Sequence, residues 1–353
     1  MDQGSRTKDY IWFQLTAGLL LGLYVAGSLL YGLIFIANVA RRGVDRGVQL
    51  NALALQTDEG TVEAALTDVP EFNSGTIAWR GKGRANILLL GVDRRPPAPG
   101  SGREVGEPAR SDAMDVVSLD PQGKKATLLS IPRDLWVAIP DLASYGITED
   151  RINAALFYGD YYHIPGGGPA LAKKTVSLNL GIPIHYYVLV DFQGFVKAID
   201  LLGGVDLELD TAIVDDEYPT DDYGTMQIYI PAGRQHLDGQ RALQYARTRH
   251  MDNDFGRIRR QQKLLLAVRE KALGLDIVAK LPALLGALKD SFSTDLGPAD
   301  MLALAQAAKD VASQDITTCL ISESMVTFWA TDNGSQVLVP RREAIRKLIQ
   351  ENF

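Results

Sequence analysis

The sequence predicts a layered α/β/α domain preceded by one N-terminal transmembrane helix. Three observations carry that expectation. From Asn86 onward, short apolar runs of strand length alternate with helical patterns, and such alternation places helices over both faces of a sheet. The stretch from Tyr10 to Ala40 holds no formally charged residue, and about 20 apolar residues suffice to span a bilayer. The chain of 353 residues is 46% hydrophobic and 22% charged, which is globular rather than disordered composition.

The N-terminal run comes first. Residues 1–9 read as a short cytoplasmic tail and 10–40 as an uncleaved anchor, with Tyr10, Trp12 and Tyr31 at interfacial positions. A cleaved signal would have a shorter apolar region and a small-residue cleavage site, whereas Arg41 and Arg42 follow here. The flanking charges (Arg6 and Lys8 before, Arg41, Arg42 and Arg46 after) do not by themselves set the orientation. Residues 41–83 read as a juxtamembrane linker, ending near Asn73-Ser74-Gly75. Beyond residue 46 the chain carries a net charge of −9 and no second membrane span.

The strands expected are Ile87–Val92, Val116–Leu119, Ala126–Ile131, Tyr186–Val190, Val205–Leu209, Gln227–Ile230 and Ile316–Ile321. The helices expected between them are Arg151–Tyr158, Pro169–Leu180, Phe192–Leu202, Gly239–Ala246 and Gly256–Leu273. Asp191 stands as an N-cap, and Gly203-Gly204 ends the helix that it opens. Residues 84–275 form the main domain. Residues 276–353 read as an extension packed on it, with helices Ala279–Leu288, Pro298–Val311 and Arg342–Glu351 around one strand.

Composition excludes several chemistries. The single cysteine, Cys319, rules out an intramolecular disulfide, a cysteine zinc site and an iron–sulfur cluster. Four histidines are not spaced as metal ligands, and no P-loop, nucleophile elbow or dinucleotide fingerprint occurs. The acidic balance argues against a nucleic-acid partner.

Three clusters remain. Asp93 ends the first strand, where α/β sheets bind ligands, and Asp112 opens the next within Arg110-Ser111-Asp112. From spacing alone, the two carboxylates share a proton or hold a divalent cation, or one of them caps a turn. Arg133-Asp134 follows an apolar strand, as a structural pair or a ligand contact. Residues 241–263 hold seven basic and two acidic residues, an island of net +5. Within it Arg247 and Arg249 share one side of an extended segment. Asp254, Arg257 and Gln261 share one helical face, with Asp254 expected as the N-cap. Guanidinium groups beside a helix N-terminus suit phosphate or pyrophosphate.

Taken with Asn86–Arg95, Arg110–Met114, Leu129–Asp134, Gly181–Tyr187, Leu237–Arg249 and Asp254–Gln262, these motifs resemble the LytR-CpsA-Psr family of bacterial cell-envelope glycopolymer phosphotransferases, in family order over roughly residues 84–270. The resemblance implies a three-layer α/β/α sandwich with a central mixed sheet and an apolar tunnel for a polyprenyl chain. Val188, Val190, Phe195, Val196 and Ile199 are candidates to line it. It implies transfer of a glycan phosphate from a polyprenyl-pyrophosphate carrier to peptidoglycan, using Mg²⁺, with pyrophosphatase activity as a side reaction. By motif, Asp93 and Asp112 would hold the metal. Arg110, Arg133, Arg247, Arg249 and Arg257 would clamp the pyrophosphate, with Arg95 a further contact, while Asp254 and Gln261 would orient the cluster. Asp93, Asp112, Arg133, Arg249 and Asp254 are the expected catalytic set. The resemblance also implies a single-pass protein of the bacterial cytoplasmic membrane with its domain extracytoplasmic. The Pro/Gly-rich loop 96–108 departs from the family pattern. Two other functions fit the same motifs: a non-catalytic polyprenyl-phosphate binder, and a membrane-bound transcriptional attenuator.

Overall fold

Strand β1, Ala85–Val92, is a nearly continuous apolar run, and such a run is stable only when both faces are covered. In the computed structural model, which describes residues 83–94, 106–249, 253–274, 286–288 and 290–353, other elements lie over both faces. β1 lies inside a six-stranded sheet with β2 (Ser111–Asp120), β3 (Lys125–Ser130), β6 (Tyr186–Asp191), β11 (Phe292–Thr294) and β12 (Ile316–Leu320), in the order β11-β6-β1-β2-β3-β12. The sheet is mixed: β1 runs parallel to β6 and antiparallel to β2, and β3 runs parallel to β12.

Alternation along the strands separates two faces. Leu88, Leu90, Met114 and Val116 point to a dry core shared with helices α1 (Ala154–Tyr161) and α2 (Gly167–Leu180), and with the C-terminal helix Arg342–Asn352. Leu89, Gly91, Ala113, Val188 and Val190 point the other way. That side is covered by α3 (Phe192–Leu201), α4 (Gly239–Arg247) and α5 (Asp254–Gly274). Behind them, the pairs β7 (Val205–Leu209) with β10 (Gly233–Leu237) and β8 (Ile213–Pro219) with β9 (Thr225–Ile230) close a second core around Ile199, Leu207 and Leu264. Helices on both faces of a mixed sheet make three layers. The remaining strands are β4 (Trp136–Ala138), paired with β5 (Glu149–Arg151), and β13 (Val326–Ala330), paired with β14 (Gln336–Pro340). Among the described residues, the C-terminal part includes α6 (Pro298–Lys309) and α7, the C-terminal helix named above.

Local signals act where expected. Asp191 Oδ1 accepts from Gly194 N at 2.7 Å and caps α3, and Gly203 and Gly204 follow that helix with φ of 75° and 79°. Several boundaries differ from expectation. Arg151 lies in β5 and the helix begins at Ala154, because the segment first pairs with β4. The second strand starts at Ser111, five residues earlier than its apolar run. Where a single strand is expected in 276–353, the described residues form four, and two of them, β11 and β12, are the edges of the central sheet. The extension therefore completes the sheet rather than resting on it.

All described residues belong to one unit, Val69–Phe353. No helix among them is long and apolar enough to cross a membrane. The expected tail and anchor (1–40), the linker up to residue 82, most of the loop 96–108, His250 and residues 275–285 lie outside the described residues.

Candidate active site

The site starts from a β-bulge. Gly91 pairs with Ala113 while Val92 pairs with Ser111, so Asp112 is the extra residue of β2. A bulge breaks the alternation of side chains. Asp112 and Ala113, adjacent in sequence, consequently line the same cavity. Gly91 lies directly beneath: a Cβ placed there would sit 3.2 Å from the Ala113 Cβ.

The cavity has a volume of about 630 Å³ and lies between the sheet and helices α3, α4 and α5. Its walls are mostly apolar, with Leu89, Val188, Val190, Phe195, Ile199 and Leu264 among them. Val196 is not; its carbonyl faces Gly239 in the α3–α4 contact. At one end stand Asp93, Asp112, Arg247, Arg249, Arg257 and Gln261. Sequence spacing of more than 160 residues is thus collapsed onto one rim.

Each charged group has a structural reason for its place. Arg247 ends α4, its guanidinium 4.5 Å from the Phe192 ring centroid and 3.8 Å from Asp93 Oδ2. Its Nη1 donates to Tyr218 Oη at 3.2 Å. Thr248 is fully buried between the two rim arginines: its hydroxyl donates to Asp215, and its carbonyl accepts from Arg260 Nη2 at 2.5 Å. Pinned from both sides, Thr248 sets how Arg247 and Arg249 diverge. Gln261 Nε2 donates to the Ala246 carbonyl at 3.1 Å and so ties α5 to α4.

Helix α5 corrects one expectation. Asn253, not Asp254, supplies the cap: Asn253 Oδ1 accepts from Gly256 N at 3.0 Å. Asp254 is the first helical residue, and its Oδ1 pairs with Arg257 Nη2 at 2.6 Å. Arg257 is almost entirely buried, and burial lowers its pKa to about 10 against the pull of Asp254, so it stays cationic at neutral pH.

Arg133 and Asp134 are not in the cavity lining, but they abut it. Arg133 is ion-paired to Asp112 and, at 3.5 Å, to Asp134, which also takes Arg151 at 3.0 Å. Burial alone would lower the Arg133 pKa; Asp112, Asp134 and Asp254 outweigh it and raise it. Arg249 is lowered, by burial and by the charge of Arg133. Arg110 is exposed at the start of β2, near enough to Tyr158 to act on its phenol electrostatically. Arg95 lies outside the described residues.

Two carboxylates on one rim, both hard oxygen donors, fit Mg²⁺, which keeps several waters and takes one or two carboxylates plus substrate phosphates. Among the described residues no group of three or more His, Cys, Asp or Glu side chains could form a full protein cage. Further polar atoms around the rim, Asp254 Oδ2, Arg257 Nε and Ser111 Oγ, are buried without a hydrogen-bond partner.

The spacing of motifs does not reveal Asp115. It lies on the cavity floor opposite Leu89, hydrogen-bonded by Ser130, and burial pushes its pKa up to about 6. Asp215 and Glu217, from β8, line the cavity as well. No motif marks them, because an acid in a polar-looking strand reads as surface; only the fold buries Asp215, while Glu217 stays exposed.

The family model that matches is that of the LytR_cpsA_psr family, over residues 51–352. The chain is similar to a polyisoprenyl-teichoic acid–peptidoglycan teichoic acid transferase, TagU, of Enterococcus faecalis. The two are 29% identical over 280 residues, 79% of this chain and 81% of that protein. It is 33% identical over 273 residues to TagV of Bacillus subtilis, which carries the same transferase description; the match covers 76% of this chain and 64%, under two thirds, of that protein. Among solved structures, the crystal structure of B. subtilis TagV superposes with a TM-score of 0.59 and 31% identity, over 77% of this chain and 97% of that one.

Proposed function

The chain belongs to the LytR-CpsA-Psr family, and from that premise we propose that it is a transferase moving a glycopolymer from a polyprenyl-pyrophosphate carrier to peptidoglycan during cell-wall assembly. The observation that carries this reading is the convergence of Asp93, Asp112, Arg247, Arg249 and Arg257 at one end of a cavity whose walls are mostly apolar. An apolar cavity of this size takes an isoprenoid tail, and the charged rim takes the pyrophosphate to which the tail is joined. The named activities of the two relatives join a polyisoprenyl-linked polymer to peptidoglycan, which is the same pair of substrate classes.

The chemistry follows from charge. A sugar hydroxyl of the acceptor attacks the phosphorus nearest the glycan, a new P–O bond forms, and the bond to polyprenyl phosphate breaks. Negative charge moves to the leaving phosphate. Arg247, Arg249 and Arg257 hold the pyrophosphate against the rim and stabilise that charge, so positioning and electrostatics supply most of the catalysis. Arg133 holds Asp112 in place, and Asp254 holds Arg257. The hydroxyl proton passes to a rim carboxylate, Asp93 or Asp112. Mg²⁺ bound by Asp93 and Asp112 would neutralise phosphoryl oxygens. Water in place of the sugar hydroxyl would give the pyrophosphatase side reaction. The anchor at Tyr10–Ala40 would hold the domain on the outer side of the cytoplasmic membrane, close to a lipid carrier; a topology reporter placed after Phe353 tests that placement.

The full chain in detergent, given a polyprenyl-pyrophosphate glycan and peptidoglycan fragments, is expected to form polymer-linked product read by mass spectrometry. Product should fall at least about 100-fold in Asp93→Ala and on removal of Mg²⁺. Product that is independent of both would overturn the site assignment.

A further inference from the structure

An aromatic cluster stands over the face of the sheet opposite the cavity. Tyr158, on α1, and Tyr162, just after it, pack against the dry core. Tyr145, from the short turn Ala143–Tyr145, stacks on Tyr162 with ring centroids 4.1 Å apart. Phe157 and Tyr161, one helical turn apart, stack at 5.3 Å with their planes 14° apart. The two stacks meet edge-on, Tyr161 against Tyr162 at 4.9 Å and Phe157 against Tyr158 at 5.6 Å, so the cluster is continuous by contact. Its outer rings, Tyr145 and Tyr161, are 47% and 55% exposed. Exposed rings grouped in this way mark a binding surface.

The cluster adjoins the rim. Asn153 N donates to the Arg133 carbonyl at 3.3 Å, so α1 begins beside the ion-pair partner of Asp112. Tyr158 and Tyr161 follow one and two helical turns later, roughly 5 and 11 Å along the axis. Tyr158 also stands within electrostatic reach of Arg110, two residues before Asp112. In-line displacement then sets a direction: the attacking hydroxyl reaches phosphorus from the side opposite the leaving phosphate. The leaving phosphate carries the tail, and the cavity that takes the tail lies over one face of the sheet. The acceptor therefore approaches from the other side of the rim, and the cluster lies over that other face.

Charges of both signs surround the rings, and several are matched. Asp141 and Lys174 pair at 2.6 Å, and Arg151 is held by Asp134 at 3.0 Å. Asp150 Oδ2 accepts from the Tyr158 hydroxyl at 2.6 Å, and Asp160 Oδ1 accepts from Gly168 N at 2.6 Å. Arg110, Glu149 and His163 are exposed. An anionic bilayer surface attracts an excess of basic groups, which these residues do not supply. Ring faces edged by phenols, within a balanced set of charges, suit an uncharged sugar strand: its C–H faces cover the rings and its hydroxyls bond to the polar edges. We propose that Tyr145, Phe157 and Tyr161 form a glycan-docking ledge that holds the acceptor peptidoglycan strand as its hydroxyl enters the pyrophosphate rim. This assignment rests on the transferase reading for the direction of approach and the identity of the strand. Tyr158 and Tyr162 are its inner support.

The test is a binding measurement that needs no turnover. The full chain in detergent is titrated with soluble, uncrosslinked peptidoglycan glycan strands, and separately with inorganic pyrophosphate and Mg²⁺. Tyr145→Ala and Tyr161→Ala replace exposed side chains, and thermal melting checks that they fold. Each is expected to weaken strand binding about fivefold to tenfold while leaving pyrophosphate binding unchanged. Tyr161→Phe, which keeps the ring, is expected to bind strands within about twofold of the wild type. Unchanged strand binding in both alanine variants overturns the ledge, as does an equal loss of both ligands. A fall in affinity for a polyprenyl-pyrophosphate glycan with strand binding intact assigns the rings to the donor and overturns it too. So does loss in Tyr161→Ala of binding to phosphatidylglycerol vesicles, or of self-association in sedimentation, with strand binding intact. A wild-type chain that binds strands through Tyr161 yet forms no transfer product leaves the ledge standing and sinks the transferase reading instead.

Discussion

The two faces of the central sheet are made by the same strands and serve opposite ends. On one face Leu88, Leu90, Met114 and Val116 are at most 2% exposed and share one buried core with residues of helices α1, α2 and α7. On the other, Leu89, Gly91, Ala113 and Val190 border a cavity, and the helices opposite stand away from them. Neighbouring residues in one strand therefore differ in purpose, one holding the fold and the next shaping a ligand site. A strand with apolar side chains on both faces can do this, because alternation assigns each face independently.

Truncation on the two faces gives the sharpest contrast. Leu88→Ala removes a side chain from a filled core and is expected to cost about 2–5 kcal/mol in urea unfolding. Leu89→Ala only enlarges a space already present, and is expected to cost under about 1 kcal/mol. Equal costs would break the distinction between a closed and an open face.

The buried acid on the open face comes next. Asp115 has a folded pKa of about 6, above its ordinary 3.8, so the fold favours its neutral form. That contribution is complete below pH 4 and is lost as the pH rises through 6. At pH 8 the ionised carboxylate costs about 3 kcal/mol at most, since one pKa unit corresponds to about 1.4 kcal/mol. Asp115→Asn is therefore expected to be more stable than the wild type at pH 8, with the gain shrinking to under about 1 kcal/mol at pH 4. Melting curves at the two pH values check the sign; a gain that is flat with pH would mean that burial does not shift the Asp115 carboxyl from its ordinary pKa.

Thr248 comes last and tests the rim alone. Thr248→Val keeps the shape but removes the hydroxyl that binds Asp215, at a cost of about 1–2 kcal/mol. If Thr248 orients Arg247 and Arg249, pyrophosphate affinity falls more than stability does, and Thr248→Ser restores it. Affinity that stays at the wild-type value would show that the two arginines are set by their own contacts, such as Phe192 and Tyr218 with Arg247.

Much of this was legible along the chain, wherever the cause is local. The run Ile87–Val92 is a strand whatever its partners, and Asp191 caps α3 through a residue three positions away. Arg257 and Gln261 share a face because four residues make about one helical turn. Other features depend on partners far away. The edge strand β11 is only three residues long, so its pairing with β6 makes it a strand, whereas β12 matches the apolar run expected at Ile316–Ile321. Asp254 carried a capping signal equal to that of Asn253, and Arg257 decided between them by drawing Asp254 into an ion pair.

The sequence by itself determined the order of elements and the kind of chemistry. Apolar period, caps and charge type are properties of neighbours within a few residues, and they survive any tertiary arrangement. The tertiary structure decided three further things: the β-bulge that turns Asp112 toward the cavity, the burial that raises Asp115, and the meeting of Asp93, Asp112 and Arg133 with the arginines of residues 247–257. Each depends on strand register or desolvation. Those are set by contacts more than a dozen residues apart, and no local pattern encodes them.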